Sequence, residues 1–205
     1  MTKSICALVH KAGSSREAFQ RYYEDNHAPL AIGLFPFSGY ARNHLTDAAD
    51  FEWDTISEFW AEDIGQAAAL MAGPIGETMR ADEERFMDRA RIAAAGVEEI
   101  ILSGGERADL TGKRTALLVN WVEGDGDARM TTLALAGALA REHMGVSVDF
   151  TVSWGTPAFP ATALIWMPGW HAAIDGPTGL SLRTLRMVRA ETPPSSLLGV
   201  HTADC

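Results

Sequence analysis

His27 and Tyr40, an imidazole and a phenol thirteen residues apart, are side chains of the kinds that acid/base chemistry uses. An imidazole that titrates near neutrality can take a proton from a carbon beside a carbonyl. A phenol close to it can donate to the enolate or oxyanion that then develops. Each has an ordinary reading too: His27 as a core histidine or a charge at a helix end, Tyr40 as one of the aromatics enriched in strands. Tyr23 and Trp60 are candidate walls of an apolar pocket for an aromatic ligand, with Asn43 and Arg42 as candidate hydrogen-bonding partners. His10, His44, His171 and His201 are scattered without the spacing that gathers a metal. The sequence has no nucleophile elbow, phosphate-binding loop or dinucleotide fingerprint.

The element that must position His27 opens at Ser14, where Ser14 and Glu17 have the spacing of a capping box. Phe19, Tyr23, His27 and Leu30 then recur at intervals of four, four and three, which places them on one helix face. Ala28 precedes Pro29, so the helix is expected to end at about His27. Unpaired carbonyls there favour the imidazolium, burial among aromatics favours the neutral ring, and the balance points to titration near neutrality. Tyr40 belongs to an expected strand over 37–45, in which the two-residue period sets Tyr40, Arg42 and His44 on one unusually polar face.

The run F-x-x-Y-Y-x-x-x-H-A-P-L from Phe19 to Leu30, followed by G-Y-x-R-N from Gly39 to Asn43, resembles the signature of the EthD-like family of dimeric α/β-barrel domains. The resemblance covers residues 1–103. It implies a ferredoxin-like barrel and no cofactor. In related small barrel enzymes a histidine at this helix end and a tyrosine on the second strand carry acid/base chemistry, which here implies His27 and Tyr40.

The patterns along the chain agree with that fold. Expected elements follow the order β-α-β-β-α-β up to Ser103. A polar, glycine-bounded linker occupies 104–113, and a degenerate second unit follows over 114–190, with a short helix at 169–175. An irregular arm over 191–205 carries Pro193-Pro194. Strands such as Ile5 to Val9 are apolar on both faces, so both must be covered. The expected class is therefore α+β, with two tandem ferredoxin-like units packing antiparallel sheets face to face as an intrachain α/β barrel. Glu142-His143-Met144 stands roughly where Asn26-His27-Ala28 does, but without the Pro-Leu and strand tyrosine, so the active half is expected to be the first.

At 205 residues and 47% hydrophobic content the chain has ample material for a core. A net charge of −10 disfavours nucleic acid and anionic membranes as partners. Two cysteines, Cys6 and Cys205, and an N-terminus without the features of a secretory signal fit a cytoplasmic protein. The reading that follows is a cofactor-independent lyase, isomerase or cyclase acting on a hydrophobic, aromatic or polyketide-like small molecule, with homodimerisation left open. One alternative is a haem-binding or oxygenase-type barrel, for which Asn120, Trp166 and His171 are the residues to consider. Another is a non-catalytic module that holds a small ligand.

Overall fold

The computed structural model describes residues 2–46, 50–104, 112–121 and 126–199. Eight antiparallel strands form a closed barrel: β1 Thr2–Leu8, β2 Gly39–Leu45, β3 Thr55–Ala61, β4 Ala93–Ile101, β5 Lys113–Asn120, β6 Ser147–Ser153, β7 Ala163–Pro168 and β8 Ser181–Glu191. Their order around the barrel is β1-β3-β2-β8-β5-β7-β6-β4. Each half contributes a four-stranded sheet of ferredoxin-like order, β4-β1-β3-β2 and β8-β5-β7-β6. The two are joined by hydrogen bonds between β2 and β8 and between β4 and β6. The α+β barrel expected from the doubly apolar strands is thus present within one chain, and the sheets are stitched edge to edge rather than only stacked.

The first half covers its outer sheet face with α1 Arg16–Tyr22, a π-helical turn Tyr23–His27, α2 Ala28–Ile32, α3 Ile64–Ala69 and α4 Pro74–Phe86. The second half uses α5 Ala128–Glu142. The helix expected at 169–175 is absent: this stretch is irregular. It lies between Pro168 and Gly176-Pro177, and Gly169 at φ +79° has a left-handed backbone that cannot open a right-handed helix. The 104–113 linker lies largely outside the described residues, as does Cys205. No helix among the described residues is long and apolar enough to cross a membrane.

Inside the barrel Ile5, Ala7, Leu45, Ile56, Ala95, Ala116, Leu164, Trp166 and Met187 form a core. A charged group shares that interior. Lys3 Nζ lies 2.7 Å from Glu58 and 2.6 Å from Asp149, and Glu58 also meets Arg114 and Arg189. The strand Ser147–Ser153 supplies Asp149 to this interior and turns Val148 and Phe150 outward towards α5 and its neighbours. The polar residues of that alternating strand are therefore as buried as the apolar ones.

Candidate active site

The helix carrying His27 starts one residue later than the capping-box spacing indicates, with Ser15 as the cap. Its hydroxyl accepts the Ala18 N–H at 3.2 Å. The helix also does not end at His27. Its backbone passes through a π turn in which the Ala28 N–H reaches back to the Tyr23 carbonyl, then continues as α helix to Ile32. Pro29 falls in the first turn of that continuation, where its missing N–H costs no bond. His27 is therefore not exposed to a set of terminal carbonyls, and the partner that governs it is a carboxylate.

That partner is Asp82 on α4. Asp82 Oδ2 lies 2.8 Å from His27 Nδ1, and Asp82 Oδ1 accepts a hydrogen bond from the Tyr22 hydroxyl at 2.8 Å. The His27 ring stacks on Tyr23 with centroids 4.8 Å apart and is tilted against Phe86 at 5.1 Å. Burial holds the imidazole below its ordinary value of 6.5, with Asp82 acting in the opposite direction. The neutral ring then has Nδ1–H directed at Asp82, which leaves Nε2 with its lone pair and no hydrogen bond among the described residues. An oriented imidazole with one open basic nitrogen is the geometry a general base requires.

His27 lines a cavity of about 380 Å³ between the outer face of the first sheet and its helices. Tyr23, Phe35, Phe37, Phe59 and Ile64 give it an apolar wall, and Cys6, Glu83 and Arg89 are its main polar groups. Trp154, which follows β6 in the second half and is 48% exposed, stands at its margin. The Trp154 indole packs against Gly96 of β4, where an added Cβ would come within 2.8 Å of its Nε1. Glu83 is buried beside Asp82 on α4, and Arg89 Nε donates to its Oε2 at 2.9 Å. Burial pushes its carboxyl up from the ordinary value of 4.5 in spite of Arg89. Burial also pushes the Cys6 thiol up to about 12, with Glu83 adding to the effect, so Cys6 is a neutral wall of the cavity.

The structure brings Tyr23 and His27 together and sets Tyr40 one hydrogen bond further back. The Tyr40 hydroxyl donates to the Tyr23 oxygen at 2.9 Å, and that oxygen pairs with Ser57 Oγ at 2.8 Å. Burial raises the pKa of both phenols. Arg42 and His44 share the face of Tyr40 and close on Glu24, each at 2.7 Å. Burial raises the Glu24 carboxyl, but the hydrogen bonds from His44 and Arg42 outweigh it and hold the group at about 2.

Asn43 and Trp60 are elsewhere. Both point into the barrel: Asn43 donates to Glu58 at 3.0 Å, and the Trp60 indole donates to Glu99 at 3.3 Å and packs against Lys3. Neither lines the cavity of His27: Asn43 is three positions from Tyr40 on β2 and projects from the opposite face, and Trp60 of β3 pairs with Gly39, the neighbour of Tyr40, and so shares the face of Asn43. Asn120, Trp166 and His171 do not assemble into a haem site. Trp166 is inside the barrel on Asp149, Asn120 is bonded to the Pro160–Thr162 segment, and His171 meets the Pro168 carbonyl and the His143 ring.

The comparisons with known proteins agree with this architecture. Sequence comparison with curated proteins finds no match. A solved structure of a candidate monooxygenase from Lactobacillus acidophilus NCFM superposes with a TM-score of 0.51 at 11% identity, covering 94% of this chain and 96% of that one. A candidate chlorite dismutase gives 0.48 at 10% identity, with 91% and 94% covered. At such identities the first likeness is one of fold alone, and the second is too distant to add to it. Residues 11–90 match the family model described as the EthD domain. This span holds the π turn, β2, β3 and α4, and hence His27, Tyr40 and Asp82, so the likeness to the EthD domain covers the residues of the candidate site.

Proposed function

We propose that the chain is an enzyme that moves protons on a small, largely apolar carbonyl compound bound in the cavity beside His27. The observation that carries this reading is the Asp82–His27 pair, which leaves one basic nitrogen open on a residue that lines a largely apolar pocket. His27 Nε2 takes a proton from the carbon beside the carbonyl, and isomerisation, cyclisation or loss of water follows. Asp82 fixes the ring and stabilises the imidazolium that forms. Tyr23 presents its ring to the ligand, and Tyr40 acts through the Tyr23 hydroxyl as a positioning group. The aromatic wall supports an aromatic or polyketide-like ligand, and no group in this reading needs a cofactor to do its part.

The test is hydrogen–deuterium exchange at the α carbon of a panel of bicyclic aromatic ketones in D2O, followed by NMR. His27→Ala should slow exchange by at least about 100-fold, with circular dichroism and melting temperature unchanged. Exchange at the full rate in that variant would sink the reading. If the protein binds the ketones but neither it nor the variant promotes exchange, the cavity is a ligand-holding site rather than a catalytic one.

A further inference from the structure

Among the described residues Glu83 is the one acidic side chain that lines the cavity of His27, and the reading above leaves it unused. It sits next to Asp82 on α4, so the helix that orients the base also delivers this carboxyl to the same space. Arg89 holds only one of its oxygens, Oε2. Oε1 makes no hydrogen bond among the described residues and belongs to a residue that faces the cavity. The nitrogen lone pair of His27 and this carboxyl oxygen of Glu83 are therefore both open polar atoms on residues that line one largely apolar cavity.

We propose that Glu83 is the catalytic acid that works with His27, protonating the carbonyl oxygen of the ligand as His27 removes the α proton. This rests on His27 being the base. In the forward step the C–H bond breaks and its electron pair forms the carbon–carbon double bond of the enol. The carbonyl oxygen takes the proton of Glu83, while His27 Nε2 gains the carbon's proton. When His27 returns its proton to a different carbon, Glu83 recovers the hydroxyl proton of the enol and the enzyme is restored. The net change is an isomerisation with no outside reactant. The assignment explains why a carboxyl is buried here, since burial raises its pKa and keeps the acid form available to higher pH. Arg89 and Arg80 oppose that rise, while Asp82 adds to it. Across the cavity Cys6 of β1 stays neutral, and His27 of the π turn is kept neutral by burial.

The test uses 4-nitrophenol, whose phenolate mimics the enolate and whose visible absorption reports its ionisation when bound to the whole chain. A protonated Glu83 donates to the phenolate, so affinity for the phenolate should fall about tenfold as the pH rises through the titration of Glu83. Glu83→Gln keeps a neutral donor in place and should flatten that profile while retaining the low-pH affinity. The acid group is then confirmed by direct 13C NMR titration of the Glu83 carboxyl, which should lie above the ordinary glutamate value. Identical pH profiles in the two proteins would overturn the assignment. If in that case His27→Ala still abolished exchange of the ketones, the base would stand without this acid. Failure of the unmodified protein to bind the phenolate at any pH would overturn the assignment of Glu83, and exchange of the ketones in the unmodified protein and in His27→Ala would then decide the base by itself.

Discussion

Asp82 acts on His27 through the tautomer it selects and through the charge it supplies. Asp82→Asn keeps the shape and removes the charge that raises the imidazole pKa, so the His27 titration should move further down. NMR of the His27 ring proton against pH checks this, and an upward move would contradict it. Because the folded value already lies below the unfolded value of 6.5, the folded protein binds fewer protons in that window. Stability from this group is therefore complete above about pH 6.5 and is lost as pH falls through it towards the folded value. Urea midpoints at pH 7.5 and 5.5 should show the lower value at 5.5, and a smaller difference in His27→Ala.

Part of this site was legible in the residues alone. His27 and Tyr23 share a cavity wall because the four-residue spacing put them on one face. Asp82 too carries a signal in the sequence: Ile75, Met79, Asp82 and Phe86 follow intervals of four, three and four, so an acid stands in the apolar stripe of α4. Asn43 was misplaced although parity along β2 separates it from Tyr40. Trp60 could not be placed without the register, which sets it opposite Gly39.

At the scale of elements, the π turn does what the Pro29 signal hid. A sequence pattern shows that proline cannot continue an α helix as an interior residue. It does not show that a single widened turn can restart the helix with the proline in its first turn. The missing helix between β7 and β8 has the opposite lesson, since Pro168, Gly169 and Gly176-Pro177 were breakers visible in the sequence and the repeat argument overrode them. The seat of Trp154 on β4 also depends on a local device, the bare Cα of Gly96. Gly96→Val should force the indole off its seat, because its added carbons start 2.8 Å from Nε1. Trp emission should shift, and affinity for the aromatic ketones should fall by about threefold to tenfold, or about 0.6–1.4 kcal/mol. Unchanged emission in that variant would mean the ring is not held there.

The whole molecule depends on a charged group inside its barrel. Burial raises the Glu58 carboxyl, but Arg114, Lys3 and Arg189 outweigh it and hold the group well below its ordinary 4.5. Its contribution is thus complete above about pH 4.5 and is lost as pH falls through the folded value. Glu58→Ala leaves Arg114 and Lys3 short of a partner and should cost about 3–5 kcal/mol, read as a lower denaturant midpoint at pH 7. A change of under about 1 kcal/mol would show that water replaces the carboxylate. The chain's last described residues also belong to the fold: Leu197 is buried among the helix-side apolar residues of the first half, and the Gly199 N–H bonds to the Phe37 carbonyl. Leu197→Ala should lower stability by about 2–3 kcal/mol.

The seam between β2 and β8 has a consequence for the chain during its synthesis. Ala41 pairs with Glu191, so the strand that follows the π turn waits for its neighbour while the 149 residues between them are made. Until Ser181–Glu191 emerges, β2 and β5 are both bare edges, each able to recruit a strand from another nascent chain. A ribosome that stalls between β7 and β8 therefore presents the cell with two adhesive edges on a nearly finished barrel. The eleven residues of β8 cap both of them in a single event.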